Sequence, residues 1–129
     1  MDGVLNISAD AYHSVLALIF DERKDNPMTS KQRAYLKGLA MKINPILQIG
    51  KSSITPEFTT AVDEALEARE LIKIHVLKNC FDDPRGMAEI IAERTHAEVV
   101  QVIGKKIVLY RESKEKKQIE LPQNRVQKL

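Results

Sequence analysis

The 129-residue chain has the length of one domain, and 43% hydrophobic with 29% charged residues is the composition of a globular protein, not of a disordered or membrane-embedded one. Its single cysteine, Cys80, excludes an intrachain disulfide, and a domain of this size buries about two-thirds of its unfolded surface, so its core needs no staple. The net charge of +2 conceals a segregation of sign: residues 26–56 hold five bases and no acid, residues 57–98 ten acids and five bases, and residues 99–129 eight bases and three acids, an asymmetry that points to a polyanionic partner.

The chain opens with an extension, residues 1–27, that holds one amphipathic stretch over 9–22 and is broken at Asn26-Pro27. Its apolar run, Val15–Phe20, is far short of the ~20 residues of a membrane span and lacks the basic leader and cleavage site of a signal peptide. A cytoplasmic protein with no membrane partner is the expectation. Thr29 with Gln32 has the spacing of a capping box, and Leu36, Leu39, Ala40 and Ile43 then recur at helical intervals as one apolar face. Arg33 and Lys37, four apart, are expected together on the opposite face. Pro45–Ile49 predicts a strand ending at Gly50. Thr55-Pro56 supplies a cap and a first-turn proline for a second helix, whose buried stripe is Phe58, Val62, Ala65 and Leu66.

Leu71–Leu77 alternates around Ile72, Ile74 and Val76 and is β-branched, which predicts a strand. Asp83-Pro84 opens a third helix carrying Met87, Ile90 and Ile91. Val99–Ile103 and Ile107–Tyr110 are strands joined by a tight hairpin at Gly104-Lys105. Beyond Arg111 the chain turns polar and basic, and residues 123–129 are expected to be a loose tail. The order α-β-α-β-α-β-β predicts an α/β domain over 28–122 with a four-stranded mixed sheet.

Catalytic chemistry finds little support. His13, His75 and His96 stand at no zinc-ligand spacing with Cys80, and no phosphate loop, dinucleotide fingerprint or nucleophile elbow occurs. Asp82-Asp83 is turn and cap chemistry before it is a metal site, and Asp63, Glu64, Glu67 and Glu70 are expected to form a solvated helix face. Neither an enzymatic activity nor a cofactor or metal is expected. The basic features carry more. Arg33 and Lys37 are like charges four apart with no neighbouring acid, a pairing that a bound phosphate would turn from unfavourable to favourable. Gly50-Lys51-Ser52-Ser53 lies between a strand and a capped helix, where backbone N–H groups and a lysine can meet an anion.

Lys31–Ala40, Pro45–Lys51, Glu64–Lys73, Gln101–Lys105 and Ile107–Arg111 together resemble, in order, the chloroplast RNA splicing and ribosome maturation (CRM) domain in its stand-alone bacterial, YhbY-like form. The resemblance implies a fold similar to the C-terminal domain of translation initiation factor three, RNA binding, and association with precursors of the large ribosomal subunit. It also implies a GxxG loop between the first strand and second helix. Here that loop is Gly50-Lys51-Ser52-Ser53, with Ser53 where the last glycine is expected, which puts glycine-mediated approach to RNA in question. The expected interface is Lys31, Arg33, Lys37, Lys42, Gly50, Lys51, Ser52, Ser53, Lys105 and Lys106, docked on structured ribosomal RNA. The alternative is an adapter that recruits a protein partner or self-associates through residues 9–22.

Overall fold

The computed structural model describes residues 28–122; the amphipathic stretch over 9–22 and the tail over 123–129 lie outside the described residues. Helix α1 (Ser30–Ala40) opens on a reciprocal capping box: the Gln32 N–H donates to Thr29 Oγ1 and the Thr29 N–H to Gln32 Oε1, each at 3.1 Å. Strand β1 (Leu47–Ile49) leads to helix α2 (Pro56–Arg69), where Thr55 accepts from the Phe58 N–H at 3.0 Å. Strand β2 (Leu71–Val76) follows, then helix α3 (Pro84–Thr95), capped by Asp83. Strands β3 (Glu98–Ile103) and β4 (Lys106–Tyr110) complete the predicted order. Each helix starts where a short polar side chain could satisfy an otherwise orphaned N–H.

The sheet is mixed, in the order β1-β2-β4-β3. β1 lies parallel to β2, with Ile49 opposite Val76, and α2 is the crossover that a parallel pair requires. β4 runs antiparallel to both neighbours, pairing Ile74 with Ile107 on one side and Val102 with Ile107 on the other. The β3–β4 turn holds Gly104 at φ 56, the first central position at which a type II′ hairpin turn takes glycine. Strand alternation then sorts the apolar side chains to two faces. Ile72, Ile74, Val76, Ile107 and Leu109 meet Val62 and Leu66 of α2 and Met87, Ala88, Ile91 and Ala92 of α3. On the opposite face Leu36 and Ala40 of α1 pack with Leu71, Val100, Val108 and Tyr110. Ile90, expected in the core, is exposed: Met87, Ala88, Ile91, Ala92 and Thr95 form the buried stripe of α3, and Ile90 falls off its flank.

α2 passes into β2 through one residue. Glu70 turns the chain at φ 67 and ψ −45, ends the helix by donating its N–H to Leu66 O, and is fully buried. Its carboxylate is met by three backbone donors from the segment that follows β4: Ser113 N–H on Oε2 at 2.7 Å, and Gln118 and Ile119 N–H on Oε1, each at 2.7 Å. One turn earlier, Glu67 accepts from the Ser113 hydroxyl at 2.8 Å and from the Lys114 N–H at 3.1 Å, and Asp63 pairs with Arg111 at 2.5 Å. The expected solvated acidic face is therefore corrected: only Glu64 of the four stands free of this segment, and the other three clamp residues 111–119 against α2. Three of the like charges on this face thus have donors to hold. Ile119 and Leu121 are thereby laid against the α1 side of the core.

Candidate nucleic-acid interface

Parallel pairing of β1 with β2 and antiparallel pairing of β2 with β4 bring three connections to one end of the sheet. They are the loop after β1, the loop after β2 and the β3–β4 turn. Leu77 N–H donates to Ile49 O at 2.8 Å and Val76 N–H to Lys105 O at 2.7 Å, which stitches the three together. Gly50-Lys51, Lys78-Asn79 and Lys105-Lys106 are thus neighbours in space. Lys51, Lys78, Lys105 and Lys106 are all exposed, and none has an ion-pair partner among the described residues. Lys78 was not among the expected contacts. The sequence places it just past the predicted strand Leu71–Leu77, and the parallel pairing that brings it beside Gly50 belongs to the fold.

The Gly50–Ser53 segment is a closed turn: Ser53 N–H donates to Gly50 O at 3.0 Å, leaving Lys51 and Ser52 as its two outward central residues. Glycine is not needed at position 50 for its φ, and a methyl group there would stand 3.6 Å from Asn79 Oδ1, an ordinary contact. The left-handed backbone falls on Ser53, at φ 58. Serine in place of glycine therefore keeps the backbone region glycine favours, at a steric cost of roughly 1 kcal/mol, and its hydroxyl donates to the Asp82 carboxylate. Ser53→Gly is expected to be more stable than Ser53→Ala by about 1 kcal/mol, because alanine keeps the strain and loses the hydroxyl; urea unfolding of the two variants measures it.

Thr55 caps the amino terminus of α2, as expected, and Glu57 adds an acid to its first turn. Asp82 and Asp83 take the turn and cap roles expected of them: Asp82 accepts from Ser53, and Asp83 caps α3 through the Gly86 N–H at 3.0 Å.

The α1 residues separate from one another. Lys31, Lys37 and Lys42 are exposed, with Lys37 in the last turn, where a cation also suits the helix dipole. Arg33 departs from the expected exposed pair. Its guanidinium turns down to β3 and donates to Val99 O and, at 3.0 Å, to Val100 O. Val100 is the extra residue of a β-bulge, with Val99 opposite Leu109 and Gln101 opposite Val108, so carbonyls there leave the ladder and need another donor. Arg33→Ala is expected to destabilise the domain by about 2 kcal/mol, the scale of a charge-assisted hydrogen bond, and Lys37→Ala by under about 0.5 kcal/mol; chemical denaturation of both variants distinguishes these roles.

α1 covers only the half of its sheet face nearest Leu71 and Tyr110. The uncovered half carries one cross-strand row, Gln48, His75, Lys106 and Ile103, from edge to edge. Lys106 belongs to both this row and the lysines of the sheet end. A cavity of about 630 Å³ lies at the far end, among Leu39, Ile43, Ile46, Leu71, Ile72 and Ile119, and is mainly apolar.

Fold and site together define a small α/β domain with a lysine-lined sheet end and an exposed strand–turn–helix loop. The chain belongs to the CRS1/YhbY (CRM) domain family, whose profile matches residues 28–111. It is 47% identical over 95 residues to the Probable RNA-binding protein YqeI of Bacillus subtilis, covering 74% of this chain and 99% of that protein. Identity to an RNA-binding protein of Haemophilus influenzae is 37% over 95 residues, covering 74% of this chain and 95% of the relative. Among solved structures, that of the hypothetical protein SAV1595 from Staphylococcus aureus superposes with a TM-score of 0.64 at 56% identity, over 74% of this chain and 99% of that one.

Proposed function

We propose that this chain is a non-catalytic RNA-binding protein that docks on structured ribosomal RNA and assists assembly of the large ribosomal subunit in the cytoplasm. The observation that carries the reading is the gathering of Lys51, Lys78, Lys105 and Lys106 at one end of the sheet without ion-pair partners among the described residues. Uncompensated lysines on a rigid scaffold gain when they replace the counterions of a phosphate backbone. Membership of a family whose relatives carry RNA binding in their names supports the same partner. The docking unit is residues 28–122, with the Gly50 turn as its leading edge and Lys31, Lys37 and Lys42 of α1 as a second, more distant set. Phosphate contacts of this kind position a protein without reading sequence, so shape, not sequence, selects the RNA.

The reading is tested by fluorescence anisotropy of a folded large-subunit ribosomal RNA fragment titrated with the full chain at two salt concentrations. Binding that weakens steeply with salt is expected. Equal binding of unrelated folded RNAs and of the ribosomal fragment would remove the ribosomal part of the proposal, and absence of binding at low salt would remove the whole.

A further inference from the structure

We infer that Phe81 is a stacking platform for one unpaired nucleobase of the bound RNA, an inference that rests on the RNA-binding reading above. Phe81 is the most exposed large apolar side chain among the described residues, at 93%. Its backbone is nevertheless held on both sides. Cys80 before it is buried, with its N–H donated to Leu77 O at 3.1 Å and its sulfur 3.8 Å from Met87 Sδ. Asp82 after it accepts from the Ser53 hydroxyl, and Asp83 caps α3. A phenyl ring that forgoes burial while both neighbours are anchored is presented to solvent by the fold.

The same anchors set what the ring faces. The Ser53–Asp82 contact ties the Phe81 loop to the Gly50 turn, and Asn79 sits against Gly50. Lys51 and Lys78 are therefore close by, exposed and without ion-pair partners among the described residues. Lysines for phosphate beside one aromatic face is the arrangement that holds unpaired nucleotides. The carboxylates of Asp82 and Asp83 disfavour a phosphate at the ring itself, whereas a neutral base meets no such repulsion. A protein partner fits less well, because a lone ring bordered by Lys78, Asn79, Asp82 and Asp83 is far smaller than the contiguous apolar patch that protein docking uses. Paired bases in an A-form stem hide their faces, so the ligand class is a bulged or looped nucleotide within structured RNA.

The test uses the full chain and two RNAs, a blunt duplex and the same duplex with a three-nucleotide bulge. Phe81→Leu keeps an apolar side chain of similar size and removes the π face; at so exposed a position it leaves the fold intact. Its affinity for the bulged RNA is expected to fall roughly 10-fold, with the blunt duplex bound as by the unaltered protein. The chain has no tryptophan, so Phe81→Trp supplies a single fluorophore. It is expected to retain affinity for the bulged RNA and to be quenched by that RNA and not by the blunt duplex. Unchanged binding of the bulged RNA by Phe81→Leu, equal loss for both RNAs, or an indole signal in Phe81→Trp that the bulged RNA leaves unquenched overturns the stacking assignment while leaving RNA binding in place. Failure of the unaltered protein to bind either RNA at low salt overturns the underlying reading as well.

Discussion

Glu70→Ala is expected to lower the stability of the domain by about 3 kcal/mol, more than any other single substitution considered. The carboxylate is fully buried and accepts from three backbone N–H groups at 2.7 Å, and removal of one ionised partner leaves the opposing donors unsatisfied at about 1–3 kcal/mol each when they are buried. Ser113 is buried, and Gln118 and Ile119 are only partly shielded at these bonds, so the sum stays near the lower end. Glu70→Gln preserves shape but turns an amide N–H toward a backbone donor, and about 2 kcal/mol is expected to be lost.

The same carboxylate gives the domain an acid-sensitive corner. Burial pushes its pKa up, but the hydrogen bonds from Ser113, Gln118 and Ile119 and the charge of Lys117 outweigh that and hold it below the ordinary 4.5. Glu67 is likewise held low, chiefly by the Ser113 hydroxyl. A folded-state pKa below the unfolded one means that the folded protein binds fewer protons. The stabilisation is therefore complete above about pH 4.5 and is lost as pH falls through the folded-state values. Urea unfolding followed by circular dichroism at pH 7, 5, 4 and 3 is expected to show stability falling across the last steps. In Glu70→Gln that acid limb should flatten; an unaltered limb would assign the pH dependence to other carboxylates.

Replacing Lys51, Lys105 and Lys106 together with alanine is expected to cut both RNA affinity and its salt dependence. Each phosphate contact contributes about 0.9 to the slope of log affinity against log salt on a duplex, so loss of three contacts reduces the slope by roughly 2.7. Between 50 and 200 mM salt the unaltered protein should then lose about 40-fold more affinity than the variant does. All three side chains are exposed, so the variant should remain within about 0.5 kcal/mol per site of the original stability. A parallel variant at Lys31, Lys37 and Lys42 reports whether the RNA crosses the open row Gln48-His75-Lys106-Ile103 to reach α1. A slope unchanged in the first variant and reduced in the second would move the interface from the sheet end to the helix.

What could be read from sequence was what is written locally. Thr29 with Gln32, Thr55-Pro56 and Asp83-Pro84 each announce a helix start because the cap and its N–H lie within three residues. Alternation in Leu71–Val76 and glycine at 104 were equally plain. The features that escaped depend on distant partners. The Arg33 guanidinium finds its carbonyls 66 and 67 residues away, at a bulge that no local residue type announces. Glu70 looks like one more acid on an acidic helix until its donors, 43 to 49 residues later, are brought over it. Gly50, Lys51, Lys105 and Lys106 were legible as candidates one by one. That they share an end, and that Lys78 and Phe81 join them, follows from the order β1-β2-β4-β3, which periodicity does not encode.

The clamp on Glu70 also bears on how the domain is made. The family profile closes at residue 111 and the last strand at Tyr110, whereas the donors for Glu70 stand at 113, 118 and 119. Synthesis from the amino end therefore delivers all four strands before it delivers the means to neutralise the corner between α2 and β2. A nascent chain released only through Tyr110 holds the residues of all four strands and the Glu70 carboxylate on left-handed backbone, with none of these three donors. Closure of that corner therefore waits until Ser113, Gln118 and Ile119 have all been synthesised.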